Sequence, residues 1–280
     1  MKITSPIFLQ QASRAGKTPF AGIKVLFPYA NPIIGSVSGN GDITVTSVKN
    51  GEKISNTYSN PDELTISVQA DANTWVIITG EITSFDCNNY YVQKLAVIKN
   101  TALTDLSCYN CPGLTTLDLS KNTALTSLSC NNCLGLTALD LSKNTALTDL
   151  SCGGCPGLTT LDLSKNTALT SLDCYDCPGL TALDLSKNTA LTSLSCNNCP
   201  GLTILDLSKN TELTSLSCGG CVALDSIKYA AENEGVAKSV ADLITANEAL
   251  DGTVYTNNAG TYYSTIADAA TAAGWTIEQL

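Results

Sequence analysis

Leucine sets the rhythm of this chain between residues 103 and 223. Eleven residues read L-x-x-L-x-C-x-x-C-x-x, and the next eleven read L-x-x-L-x-L-x-x-N-x-x. The pair repeats every 22 residues from Leu103, Leu125, Leu147, Leu169 and Leu191, with a half copy from Leu213. A fixed period in the twenties marks a solenoid: one repeat cannot bury its own apolar face and must stack on its neighbours. In L-x-x-L-x-L the last two leucines are two apart, so they share one face of an extended segment, and the residue between them points outward. The pattern predicts two short parallel strands per coil, on opposite sides of a flattened coil, with coils about 4.8 Å apart.

The flanks carry other rhythms. Looser copies of the two half-motifs at 82–91 and 92–102 make six full coils, and 224–229 is a decaying last half. Before them, the stretches IKVLF, DITVTSV, LTISVQ and TWVIITG read as strands, with turn chemistry at Asn50-Gly51. A strand from this region is expected to lead into the solenoid and cover its first coil, because an open coil exposes unpaired backbone. After 230, Val236, Val240, Leu243 and Ile244 keep helical spacing over 235–250. There follow a short strand, an NNAG turn, a second strand in TYYSTI, a helix over 267–275 stopping near Gly274, and a final strand in TIEQL. The expected division is a β-rich domain over 1–81, the solenoid over 82–229 and a small α/β cap over 230–280.

The repeat L-x-x-L-x-C-x-x-[NC]-x-x-L-x-x-L-D-L-x-x-N resembles the nested, twin-half leucine-rich repeat of Bacteroides-type surface proteins and other bacterial proteins, over residues 82–229. The ending TYYSTIADAATAAGWTI is more weakly similar to C-terminal caps of bacterial and phage-borne repeat proteins. The resemblance implies a mainly β leucine-rich-repeat solenoid without catalysis or cofactor, used for adhesion to a protein or glycan ligand. Two departures stand out: a second cysteine where asparagine is commoner, and an N-terminus without the apolar core and cleavage site of a signal peptide. They leave an alternative open, a phage or prophage virion component that is tail-associated and receptor-binding, so that bacterial surface and virion are both expected locations. Assembly into a larger surface or virion structure fits either.

Six C-x-x-C pairs and Cys87 account for all 13 cysteines. Cys111 and Cys130 stand 18 residues apart, so C-x2-C-x18-C-x2-C matches a zinc-site spacing. Here the 22-residue period generates that spacing, and the sister half fills the same slots with leucine and asparagine. The first cysteines, Cys108, Cys130, Cys152, Cys174, Cys196 and Cys218, are read as one interior ladder. Asn122, Asn144, Asn166, Asn188 and Asn210 are read as another, their amides bonding the bend backbone and one another. Coil spacing exceeds the usual disulfide Cβ separation of roughly 3.5–4.5 Å, so the thiols are expected free and no metal is expected.

Charge and chemistry narrow the rest. Twenty-five acids against 15 bases, net −10, argue against nucleic-acid backbones as partners. No apolar run is long enough for membrane insertion as a helix. Histidine is absent, no nucleophile elbow or converging acid pair is visible, and AGKT at 15–18 is a broken phosphate-loop echo with Gln11 where glycine is needed. The outward Asp column Asp118, Asp140, Asp162, Asp184 and Asp206 is answered three residues on by Lys121, Lys143, Lys165, Lys187 and Lys209, and reads as a solvated face rather than a calcium strip. Most other slots are constant, but the pair inside each C-x-x-C varies from coil to coil. Tyr109, Asn110, Asn131, Asn132, Tyr175, Asp176, Asn197 and Asn198 are therefore the candidate binding column. Unselected drift at a tolerant bend is the competing explanation.

Overall fold

The computed structural model describes residues 22–28, 30, 32–89, 92–98, 100–229, 234–246, 253–256 and 263–279. The phosphate-loop echo at 15–18 and the NNAG turn at 257–260 lie outside them. The chain folds as a mainly β, leucine-rich-repeat solenoid of about six turns with parallel strands.

Six strands come first: β1 Gly22–Leu26, β2 Ile33–Lys49, β3 Glu52–Ser59, β4 Leu64–Ser67, β5 Trp75–Asp86 and β6 Lys94–Ile98. Asn50 at φ 53° and Gly51 at φ 80° supply the two left-handed residues that a tight hairpin needs, and they join β2 to β3. β5 belongs to two structures at once. Its first part pairs antiparallel with β1 and β2, while its last three residues, Ser84 to Asp86, pair parallel with the first coil strand. Ser36, Val37 and Ser38 of β2 cover the other edge of those same residues. The stack therefore starts on a rung already paired on both sides.

The coil strands are β7 Asp105–Ser107, β8 Ser127–Ser129, β9 Asp149–Ser151, β10 Ser171–Asp173, β11 Ser193–Ser195 and β13 Ser215–Ser217. They pair parallel with no offset, so Leu106, Leu128, Leu150, Leu172, Leu194 and Leu216 form one buried file. Thr126, Thr148, Thr170, Thr192 and Thr214 add a second bond per rung, each hydroxyl donating to the threonine carbonyl one coil back at 3.0–3.1 Å. These hydroxyls are committed to the stack.

The expectation of two strands per coil is corrected. In the coils from Leu103 to Leu185 only the first half forms a strand. The second half turns back on itself: Ser120 N–H donates to Asp118 Oδ1, Asn122 N–H to the Leu119 carbonyl, and Leu125 N–H to the Asn122 carbonyl. Leu117 and Leu119 are buried all the same. The glycines after proline, Gly113, Gly157, Gly179 and Gly201, are needed for close approach: a Cβ on Gly179 would lie 2.8 Å from the Pro156 carbonyl oxygen.

Pairing on the second side returns at β12 Ile204–Leu207 and β14 Ser226–Tyr229, and continues parallel into β15 Thr253–Thr256 and β16 Thr276–Gln279. Helices α1 Glu234–Ala246 and α2 Tyr263–Ala273 alternate with those last strands. Val236, Val240, Leu243 and Ile244 of α1 are buried, as their spacing predicts. Ser239 Oγ donates to the Leu216 carbonyl at 2.7 Å, so α1 sits where the next rung after β13 would be. The second strand expected in TYYSTI is instead the start of α2, because Ile266, Ala270 and Ala273 bury at helical intervals. Gly274 at φ 77° follows the helix end. A helix is about 10 Å across and a rung about 4.8 Å. The side that is narrow along the coils thus becomes the wide side at the cap.

Candidate functional surface

The cysteines face inward and are all free and buried. Cys133 Sγ donates to the Cys108 carbonyl at 3.2 Å, and Cys155, Cys177, Cys199 and Cys221 make the same bond to Cys130, Cys152, Cys174 and Cys196 at 3.1–3.4 Å. The asparagine ladder uses an equivalent path. Asn144 Nδ2 donates to the Leu119 carbonyl at 3.2 Å and to the Asn122 carbonyl at 2.8 Å. The amides bond the preceding coil's backbone rather than one another, which corrects that part of the expectation. Burial pushes the Cys130 and Cys152 thiols well above their ordinary value, Cys155 to about 12 and Cys177 to about 11. Such thiols are poor nucleophiles. Among the described residues no group of three or more side chains is placed to hold a metal ion.

The variable bends lie on one edge of the stack, and their chemistry is mostly local. Asn110, Asn132, Asp176 and Asn198 have φ of 51–56°, and Gly154 and Gly220 take the same region at 64° and 76°. This slot accepts only residues that tolerate left-handed backbone. The first bend residue often ties coils together: Asn131 Oδ1 accepts the Gly153 N–H at 2.6 Å, and Asn197 Oδ1 accepts the Gly219 N–H at 3.0 Å and the Ser217 hydroxyl at 2.9 Å. A Cβ on Gly153 would run into the Tyr175 ring, so that ring lies back over the preceding coil. Tyr175 and Tyr109 are each half-buried.

The outward face of the coil strands is different. Flanking each buried leucine stand Asp105 and Ser107, Ser127 and Ser129, Asp149 and Ser151, Ser171 and Asp173, Ser193 and Ser195, then Ser215 and Ser217. Ser84 and Asp86 of β5 and Ser36 and Ser38 of β2 continue the face toward the N-terminal strands. There the loop before β4 rises as a wall. Glu63 N–H donates to Ser38 Oγ at 2.8 Å, which fixes Asp62 and Glu63 beside the first rungs. Wall and face enclose a groove of about 400 Å³, lined by Asp62, Glu63, Asp86 and Asp105 with serines around them. Along the sequence the outward residues of this face pass for an ordinary polar-out pattern. The available signal was the single polar residue on each side of the strand leucine, hydroxyl or carboxylate in every coil.

No family model matches the chain, and neither does any curated protein. Among solved structures, a similar one is the functional domain of InlJ from Listeria monocytogenes, which includes a cysteine ladder. It is 26% identical, and the match covers 67% of this chain and 52% of that one at a TM-score of 0.32. This chain thus spans about half the length of that chain.

Proposed function

We propose that this chain is a non-enzymatic adhesion module that holds a macromolecular ligand on the outward face of its coil strands. The groove of about 400 Å³ between that face and the Asp62–Glu63 wall carries the reading. Among the described residues, β2, the loop before β4, β5, β7 and β8 converge there on a concave polar surface of serines and carboxylates. Concave sites with convergent polar groups are where ligands bind. The absence of histidine and the burial of every thiol support a binding role over a catalytic one. The bend column gives less support, since its residues already serve backbone geometry and coil-to-coil bonds.

Glycan and peptide arrays probed with three proteins test this. Ser127→Tyr/Ser129→Tyr fills the groove, and Tyr109→Ala/Tyr175→Ala strips the bends. Hits of the wild type should fall at least tenfold with the groove variant and persist with the bend variant. The reverse result would return the binding site to the bends.

A further inference from the structure

The strand face is acidic without compensation, and that selects its partner. Its carboxylates are Asp86, Asp105, Asp149 and Asp173, with Asp62 and Glu63 on the wall. Each of the four face carboxylates has a single local donor: the Asn88 N–H on Asp86, the Thr104 hydroxyl on Asp105, the Thr148 hydroxyl on Asp149 and the Tyr175 N–H on Asp173. Among the described residues none of the six has a cation within ion-pair distance. The opposite side balances in count, with one Asp and one Lys per coil from Asp118 and Lys121 onward, and of its Asp column Asp206 is ion-paired, to Lys228. The one-signed field of the solenoid therefore sits on the strand face.

We propose that this sheet face docks an extended, lysine- or arginine-containing polypeptide segment. The proposal rests on the strand face being the binding surface and adds the class of occupant. Charge complementarity is the argument: ammonium or guanidinium groups would supply the missing partners to the face carboxylates, and the hydroxyls of Ser127, Ser129, Ser151 and Ser171 would meet peptide polar groups. Size agrees. From β5 to β10 the face crosses four rung spacings, about 19 Å, which an extended chain covers in about six residues. Among the described residues the rungs of the face present hydroxyls and carboxylates, with no aromatic ring on which a sugar would stack.

The test uses fluorescein-labelled peptides (Lys-Thr)4, (Ser-Thr)4 and (Glu-Thr)4, read by fluorescence anisotropy on the full chain. Two variants remove equal charge: Asp105→Asn/Asp149→Asn/Asp173→Asn on the face, and Asp118→Asn/Asp140→Asn/Asp162→Asn on the opposite side. Thermal melts first establish that both are folded. The lysine peptide should bind best, weaken at least tenfold with the face variant and change less than twofold with the opposite-side variant. Equal losses in both variants would overturn the proposal, since attraction would then follow net charge alone. Binding of the neutral peptide, or of an arrayed glycan, that is blocked by Ser127→Tyr/Ser129→Tyr while the lysine peptide fails would overturn the cationic class but leave the strand face standing. Lysine-peptide binding lost only in the Tyr109→Ala/Tyr175→Ala variant would overturn both.

Discussion

At the scale of single residues, the interior is a set of donors reaching one coil back. Cysteine and asparagine occupy equivalent slots, and each donates to a carbonyl 25 residues earlier. Asparagine adds a second bond, 22 residues back, but leaves its amide oxygen buried without a protein donor. Asn166→Ala forfeits two buried bonds and opens a small cavity, for a loss of about 2–3 kcal/mol. Asn166→Cys keeps the donor to Leu141 and removes the unpartnered oxygen, so it should cost less than half as much in urea denaturation. The thiols raised by burial also set a pH limit, whereas a hydrogen bond from a neighbouring cysteine lowers Cys111, Cys133, Cys199 and, to about 7, Cys221. Their ordinary value is 9.0, and burial raises Cys130 and Cys152 well above it and Cys155 to about 12. Above pH 9 the unfolded chain has lost protons that the folded chain still holds, so rising pH favours unfolding, by about 1.4 kcal/mol per pH unit for each such thiol. Melts in reductant should fall steeply from pH 9 to 11, and Cys152→Val should flatten that fall. The 22-residue comparison made the buried thiols legible. The left-handed bend was less so, although its signal was present: Asn110, Asn132, Gly154, Asp176, Asn198 and Gly220 are the residue types such backbone allows.

At the scale of elements, the two halves of a coil share one apolar skeleton yet only one becomes a strand. Leucine spacing could not separate them, because Leu106 and Leu117 are both buried. Among the described residues second halves pair only beside the ends, β6 on β1 and β12 on β14, and the D-L-S turn bond is made at β12 as well. The cap shows the opposite case. Spacing found α1, but TYYSTI alternates well enough to pass for a strand, and helical burial of Ile266 and Ala270 decided it. α1 covers the open edge of β13, with Ser239 Oγ donating to the Leu216 carbonyl and Cys218 Sγ to the Ser239 carbonyl. Ser239→Ala should cost about 1 kcal/mol. Hydrogen exchange should then quicken in residues 213–221 while the rungs at β8 and β9 keep their protection.

At the scale of the whole molecule, one core runs without a break from Ile23 to Trp275, joining the N-terminal strands, the coils and the cap. The strand face inherits the acids that the opposite side neutralises. Binding there should weaken with added salt, because exposed charges are screened over about 8 Å at physiological ionic strength. Titrating the lysine peptide at 50, 150 and 500 mM sodium chloride should lower its affinity at each step. A salt-independent affinity would mean that hydroxyl contacts rather than charge hold the ligand. This face was hidden in the sequence for a physical reason. Its slots hold serine or aspartate, an ordinary polar-out pattern, and only folding shows that Asp62 and Glu63 stand beside Asp86 and Asp105.

Rungs that pair with zero offset make coils interchangeable to their neighbours. Excising residues 147–168 would set Leu128 beside Leu172, a pair of the same kind as those on either side. Both ends would keep their covers, and the face would shorten by one spacing of about 4.8 Å. Gain or loss of a repeat would move the reach of the protein in whole 22-residue steps while the groove at the first rungs stays as it is. The bends restrain that freedom: the Tyr175 ring lies where a Cβ on Gly153 would stand, so that coil keeps its present fit only behind this glycine.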